Sequence, residues 1–285
     1  MSDRVEIITD PPSLATLFAK SVVTGLRKDP KAELPDTILQ LEVQAKRDDL
    51  TSYQQVCGWG VSDVLPHTYP HVLGFPLQVM LISRTSFPLP LAGLVHVENS
   101  ITVHRQLTAD DVLTISVHAE NLGPHFRGRV VDIVTEVDVE GERVWEGRST
   151  YLARGSSSGE APPDTAVPMP EGIPAARWRL PEDLGRTYAG VSGDVNPIHL
   201  HAITAMAMGF PRAIAHGMWT YARTLAAFGP TANGPSTSTV WFKKPVLLPS
   251  AVQLIVEREN GAVVAGLRAA RKPEIQHLIL RLESH

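Results

Sequence analysis

Tyr188-Ala189-Gly190-Val191-Ser192-Gly193-Asp194-Val195-Asn196-Pro197-Ile198-His199-Leu200 is the stretch on which the reading of this chain turns. It sets one carboxylate, Asp194, and one imidazole, His199, within six residues, with turn formers between them. Gly193 permits a tight turn beside Asp194. Asn196-Pro197 is a helix start, with Asn as N-cap and Pro at the first helical position, so His199 falls in the first turn. Spacing alone admits two readings. One is a capped helix that happens to carry an acid and a surface histidine. The other is a short, stiff loop that aims an acid–base pair at one point.

Part of this stretch has a copy earlier in the chain. Tyr53, Val56 and Gly58 precede Tyr188, Val191 and Gly193 by 135 positions, and Gly74-Phe75-Pro76 precedes Gly209-Phe210-Pro211 by the same offset. The agreement points to an internal duplication. Between the halves, Gly155 to Pro174 is rich in Gly, Ser and Pro and reads as a linker. It divides the chain into residues 1–154 and 175–285.

Strand-like segments follow in both halves. In the first they are Leu94 to His104, Val112 to Glu120, Gly128 to Val139 and Arg143 to Leu152. In the second they are Ser236 to Phe242, Ala251 to Glu257, Val263 to Ala270 and Gln276 to Leu282. β-Branched residues and partial alternation mark them. Val139 to Arg143 and Glu259-Asn260-Gly261-Ala262 read as hairpin turns, the second with the Asn-Gly signal. Met218, Tyr221, Ala222, Leu225 and Phe228 fall at helical spacing, so His216 to Phe228 reads as a largely buried helix that Gly229-Pro230 stops. Each half is then a long helix followed by antiparallel strands, an α+β unit whose sheet wraps the helix.

Bulk properties narrow the function. The 285 residues are 43% hydrophobic, enough for a real core, and the net charge of −4 gives no reason to expect nucleic acid. Cys57 is the only cysteine, so neither an internal disulfide nor a cysteine-based metal site can form. No apolar run approaches membrane-spanning length and the first residues lack signal-peptide order, so a cytoplasmic protein without membrane insertion is expected.

His216-Gly217 opens the expected buried helix. The first amides of a helix have no intrahelical acceptor and favour negative charge. A carbonyl oxygen could be held there, where such donors are worth about 3–4 kcal/mol. The alternative is a helix start bonded to water or a neighbouring loop. A metal reading would use Asp194, His199, His201 and His216. However, His199 and His201 are two apart and so face different sides of a helix, and no metal is expected. Lys243, Lys244 and Arg212 are candidate phosphate contacts or simply solvated cations.

Together these residues carry a resemblance. Tyr188, Ser192 to Pro197 with His199, and Gly209-Phe210-Pro211 followed by Ala215-His216-Gly217-Met218 resemble the hydratase-2 motif of MaoC-like (R)-specific enoyl hydratases and 3-hydroxyacyl-thioester dehydratases. The whole chain, with its degenerate first half, is similar to the double hot-dog members of actinobacterial type. Leu65 to Pro70 and Phe242 to Pro249 fit that subgroup. The resemblance implies two hot-dog units and interconversion of trans-2-enoyl and (3R)-3-hydroxyacyl thioesters of coenzyme A or acyl carrier protein. It implies that Asp194 and His199 are catalytic, that the Gly217 amide binds the thioester oxygen, and that Asn196, Ser192, His216 and Tyr188 support them. No cofactor is implied, because a thioester already acidifies C2. At the offset of 135, Asp194 falls on Trp59, His199 on Val64 and His216-Gly217 on Leu81-Ile82. The expectation is one active site, in residues 175–285, with residues 1–154 shaping acyl-chain binding. A homodimer is compatible. The rival readings are a non-catalytic acyl-thioester binder and an acyl-thioesterase.

Overall fold

The computed structural model describes residues 4–25, 27–155, 165–259 and 261–285. Residues 156–164 of the expected linker and Asn260 of the expected turn lie outside the described residues. The chain begins with β1 (Arg4–Ile7), α1 (Leu14–Gly25), β2 (Thr37–Gln44), α2 (Arg47–Cys57) and α3 (Tyr69–Ser83). Four strands follow: β3 (Leu94–Val103), β4 (Val112–His125), β5 (Gly128–Val139) and β6 (Glu142–Arg154). The second half runs β7 (Ala176–Leu180), α4 (Leu184–Ser192), α5 (Pro197–Leu200), α6 (Ala202–Ala207) and α7 (Gly217–Ala226). It ends with β8 (Ser236–Phe242), β9 (Ser250–Glu259), β10 (Ala262–Ala269) and β11 (Gln276–Ser284). The eight expected strands are all present, with bounds shifted by a few residues. The sequence reading had no element for β1, α1, β2, α2, β7 or α4.

Topology carries the duplication. The first-half strands lie in the order β2-β4-β5-β6-β3 and the second-half strands in the order β7-β9-β10-β11-β8. In each half one long helix, α3 or α7, follows the first of these five strands in sequence, and the ladders β2-β4-β5-β6 and β7-β9-β10-β11-β8 are antiparallel. β1, parallel to β2, and α1 are additions to the first half. The expected β5–β6 hairpin forms, and Glu259 pairs with Ala262 where β9 and β10 meet. β5 and β6 join through Glu140 (φ 52°) and Gly141 (φ 83°), two positive values that suit the twist of the strands.

By packing, the chain forms two compact units that do not follow the division at residues 155–174. One contains Met1–Ala45, Pro70–Asn99 and Asp110–Asp164; the other contains Lys46–Tyr69, Ser100–Ala109 and Thr165–His285. The first-half segment with Tyr53 and Gly58 therefore packs with the second half, α2 against α4 and α7. In the first unit, Leu77, Val79, Leu81 and Ile82 of α3 are buried. Gly74 brings α3 close to the sheet, since a Cβ there would meet Thr135 Cγ2 at 2.9 Å. In the second unit, Met218, Trp219, Tyr221, Ala222 and Leu225 bury the face of α7 that the spacing indicated. Each large apolar side chain so buried contributes about 1.5–3 kcal/mol.

One part of the sequence alignment does not survive. Gly74-Phe75-Pro76 lies inside α3, whereas Gly209-Phe210-Pro211 forms the turn after α6, with Gly209 at φ 88°. The structural equivalences show why. Gly58 and Gly193 are matching left-handed C-caps, of α2 (φ 76°) and α4 (φ 72°), and keep the offset of 135. Further on, Leu65 N donates to Leu107 O and Ala109 N to Asp63 O. The second half repeats this as Ala215 N to Val246 O and Leu248 N to Ala213 O. Asp63 pairs with Ala213 and Leu65 with Ala215, an offset of 150. The second half therefore holds 15 more residues between the cap glycine and this bridge. His216-Gly217 corresponds to Pro66-His67 rather than to Leu81-Ile82.

Two histidines in these cores set a pH dependence. Burial lowers His67 and His71 from 6.5 to about 4. The unfolded chain thus binds protons at these sites between pH 6.5 and 4 while the folded chain does not. Stability is full above 6.5 and falls as pH drops through that window. We expect the thermal midpoint to decline steadily from pH 7 to 4.5, by differential scanning calorimetry. A midpoint constant over that range would contradict neutral, buried histidines.

Candidate active site

α4 ends at Gly193, whose left-handed conformation turns the chain sharply and presents Asp194 next. Ser192 Oγ donates to Tyr188 O (2.9 Å) and accepts from Asp194 N (3.2 Å), pinning the turn from both sides. Asp194 Oδ1 accepts from Asn196 N at 3.1 Å. Asn196 caps α5 as the sequence indicated, its Oδ1 accepting from Ile198 N. The helix that follows is short. His201 adopts extended angles (φ −143°, ψ 144°) and breaks α5 from α6.

His199 Nδ1 bonds to Ile214 O at 2.8 Å. A carbonyl only accepts, so Nδ1 carries the proton and Nε2 carries the lone pair. His216 Nε2 donates to Asp194 O at 3.0 Å and lies 3.7 Å from Asp194 Oδ2. The His199 and His216 rings stack with centroids 3.7 Å apart, and Tyr188 packs on His216 at 4.9 Å. Asp194, His199 and His216 each present an atom within 4.8 Å of the others. His201 is exposed and outside this group. Of the supporting residues, Tyr188, Ser192, Asn196 and His216 all join the cluster.

Electrostatics follow from enclosure. Burial raises the Asp194 carboxyl above 3.8, with neighbouring His199 acting in the opposite sense. Burial lowers His199 below 6.5, opposed by Asp194 and the Ile214 carbonyl. Burial, then His199, pushes His216 well below 6.5. Asp194 nevertheless keeps 23% of its side chain exposed, while His216 keeps 2%. The carboxylate is the member of the cluster that faces an opening.

Gly217 opens α7, and helix geometry leaves the Gly217, Met218 and Trp219 amides without intrahelical acceptors. The reason for glycine is partly different from expectation. A Cβ there would meet the Phe242 ring at 3.1 Å, so the side-chain position is filled by Phe242. Lys243 and Lys244 follow Phe242 and are both exposed, held by main-chain bonds to His277 O and Gln276 O. Arg212 is exposed and donates to Pro249 O at 3.2 Å. None of these three cations bonds to the Asp194 cluster in the contacts described.

Sequence reasoning missed Gly185. A Cβ on it would lie 1.9 Å from His199 O, so α4 touches the α5 backbone there. The next residue, Arg186, donates to Leu200 O at 3.0 Å. Gly185 has no turn or motif around it, so only the close approach reveals it.

Residues 159–275 match the MaoC like domain. The chain is 36% identical over 271 residues to 3-hydroxyacyl-thioester dehydratase X of Mycobacterium tuberculosis, covering 93% of this chain and 96% of that protein. The chain belongs to the MaoC-like dehydratase family. 3-Hydroxyacyl-thioester dehydratase Y of the same organism is 30% identical over 191 residues, 61% of this chain and 65% of that one. The crystal structure of HtdX from M. tuberculosis superposes with a TM-score of 0.77 at 33% identity, over 87% of this chain and all of that one. The double hot-dog fold is thereby shared. An acyl-ACP thioesterase from Bacteroides thetaiotaomicron matches at a TM-score of 0.56 and 9% identity, a likeness of fold alone.

Two outcomes are expected at this site. Gly185→Ala should lower enoyl-thioester turnover by on the order of 10²-fold, since misplacing a reacting group by about 1 Å costs that much. Its circular dichroism should stay native. Wild-type turnover in that variant would show that His199 does not depend on the close approach. Second, kcat/KM should hold to below pH 6.5 and fall only as His199 gains its proton, because burial lowers that pKa. An acid limb centred above 6.5 would contradict an enclosed, neutral imidazole.

Proposed function

We propose that the chain is a hydro-lyase that interconverts trans-2-enoyl and (3R)-3-hydroxyacyl thioesters in fatty-acid metabolism. The observation that carries this reading is the single free reactive atom on each partner. The loop's own bonds occupy His199 Nδ1 and Asp194 Oδ1, leaving His199 Nε2 and Asp194 Oδ2. In hydration, a water held by these two atoms gives its oxygen lone pair to C3 and one proton to the pair. The electrons of the C2–C3 double bond pass through an enolate to C2, which takes a proton back from the pair. Dehydration is the reverse: the C2 proton leaves to the pair and hydroxide leaves C3 as water. The pair ends each turn unchanged, as general acid–base catalysis requires.

The Gly217 amide is the donor for the thioester oxygen as enolate charge develops, supported by its place at the start of α7. His216, Tyr188, Ser192 and Asn196 hold the pair in place. Residues 1–154 carry no such pair and are assigned acyl-chain binding. The thioester is carried by coenzyme A or acyl carrier protein, with Lys243, Lys244 and Arg212 as phosphate contacts. The names of the relatives support the reaction class, since each is a thioester or CoA dehydratase.

The test is loss of enoyl-thioester absorbance on adding the protein. Asp194→Asn and His199→Ala should each lower it by on the order of 10²–10⁴-fold. Free-thiol release in place of hydration would establish a thioesterase. Tight binding without turnover would establish a binder. Full activity in either variant removes the pair from the mechanism.

A further inference from the structure

We propose that α6 and the turn after it form the docking surface for an acidic protein that carries the acyl thioester. This rests on the lyase reading above and selects a protein-borne thioester as a substrate that the chain recognises. The segment is the one by which the two repeats differ. Ile214 N donates to Ile198 O at 3.2 Å and His199 Nδ1 donates to Ile214 O, so residues 199–213 leave and return at one point. The first repeat has no such excursion. The catalytic histidine stands at its stem and α6 stands on its outside.

Its surface is unusual in two ways. Ile203 is 78% exposed, Met206 54% and Met208 38%. Ile203 and Met206 are three apart in α6 and share one helical face. Val5 and Ile7 of β1 are the other such pair among the described residues, while Val61, Val112, Phe126 and Ile173 are separated along the chain. The second feature is charge. Residues 195–256 contain no Asp or Glu, although the chain holds 30 acids in 285 residues and about six would be average for that span. Arg212 is exposed at the end of the excursion, and exposed Arg186 sits at its start through Leu200 O. The nearest acids in sequence, apart from Asp194 itself, are Glu182, Asp183 and Glu257.

Apolar anchors on an acid-free span that contains exposed Arg212, with Arg186 beside its start, match an acidic helical partner. A thioester on a small soluble carrier needs the cations and gains nothing from three exposed apolar side chains. Opposite charge between a chain of net −4 and an acidic carrier would otherwise be lacking, so the local patch must supply it.

The experiment compares one enoyl group, trans-2-octenoyl, presented on an acidic acyl carrier protein and on coenzyme A. The double variant Ile203→Glu/Met206→Glu should lower kcat/KM for the carrier-borne substrate by about tenfold or more. The coenzyme A substrate should change by less than about twofold, and only the carrier-borne rate should fall steeply with salt. Equal losses on both substrates, or no loss on the carrier, overturn the proposal. So does sedimentation showing a dimer that the variant dissociates, since the face would then meet a second copy. If wild-type protein turns over neither substrate, the lyase reading fails. Docking is then read separately, by titration calorimetry of octenoyl carrier protein, and equal Kd for wild type and variant overturns it.

Discussion

The hydrogen bond from His199 Nδ1 to the Ile214 carbonyl, 2.8 Å long, is the constraint on which this site depends. It fixes which nitrogen of the imidazole bears the proton and so places the lone pair on Nε2. It also joins two segments far apart in sequence. Ile214 in turn bonds through its amide to Ile198 and forms an isolated bridge with Leu247. The imidazole is thus tied through one residue to the connection between β8 and β9.

The duplication gains a different meaning from this. Read by a constant offset, the first repeat looks as though it exchanged Asp194 for Trp59 and His199 for Val64. The structure shows instead a shorter connection. Both repeats turn at a left-handed glycine, Gly58 or Gly193, and both return to a bridge, at Val64 or Ile214. Only the second spends 15 further residues between these points, and the acid, the imidazole, α5 and α6 all lie there. The glycines alone could not reveal this, because the two frames are alike up to the turn: Tyr53 and Tyr188 even pack together, ring centroids 6.2 Å apart. Where the first repeat rejoins the frame, His67 replaces Gly217. Its Nε2 bonds to Ser238 Oγ at 2.6 Å and its side chain lies within the core.

Much of the fold and the pair itself were legible because they rest on local rules. Strand alternation located β5 and β8 to the residue, and the helix signals placed Asn196 as cap and the start of α7 at Gly217. What failed were inferences that needed distance in space. Gly74-Phe75-Pro76 and Gly209-Phe210-Pro211 share letters for unrelated reasons: Gly74 admits Thr135 against a helix, while Gly209 supplies a positive φ. Gly185 and Phe242 touch the site from elements that no motif marks. Strands β2 and β7 also alternate, with Leu39, Leu41 and Val43 set around Gln40 and Glu42 and with Trp178 and Leu180 around Arg179, but each stands alone ahead of the helices, far in sequence from the strands it pairs with.

Burial moves Asp194 and His199 toward each other in proton affinity, the acid upward and the base downward. In water a carboxylate and an imidazole differ by between two and three units, and a proton would rest on one of them. Enclosure narrows that difference, so handing a proton from one to the other costs less. It works only if no other charge stands nearby, and the neighbour that could carry one, His216, is held neutral with its proton committed to the Asp194 carbonyl. An exposed loop would have kept the two affinities apart. The excursion from His199 to Ala213 closes through the Ile214 N–H to Ile198 O bond and ends at the Ile214 carbonyl that orients the imidazole, while Asp194, just past the shared glycine, precedes it.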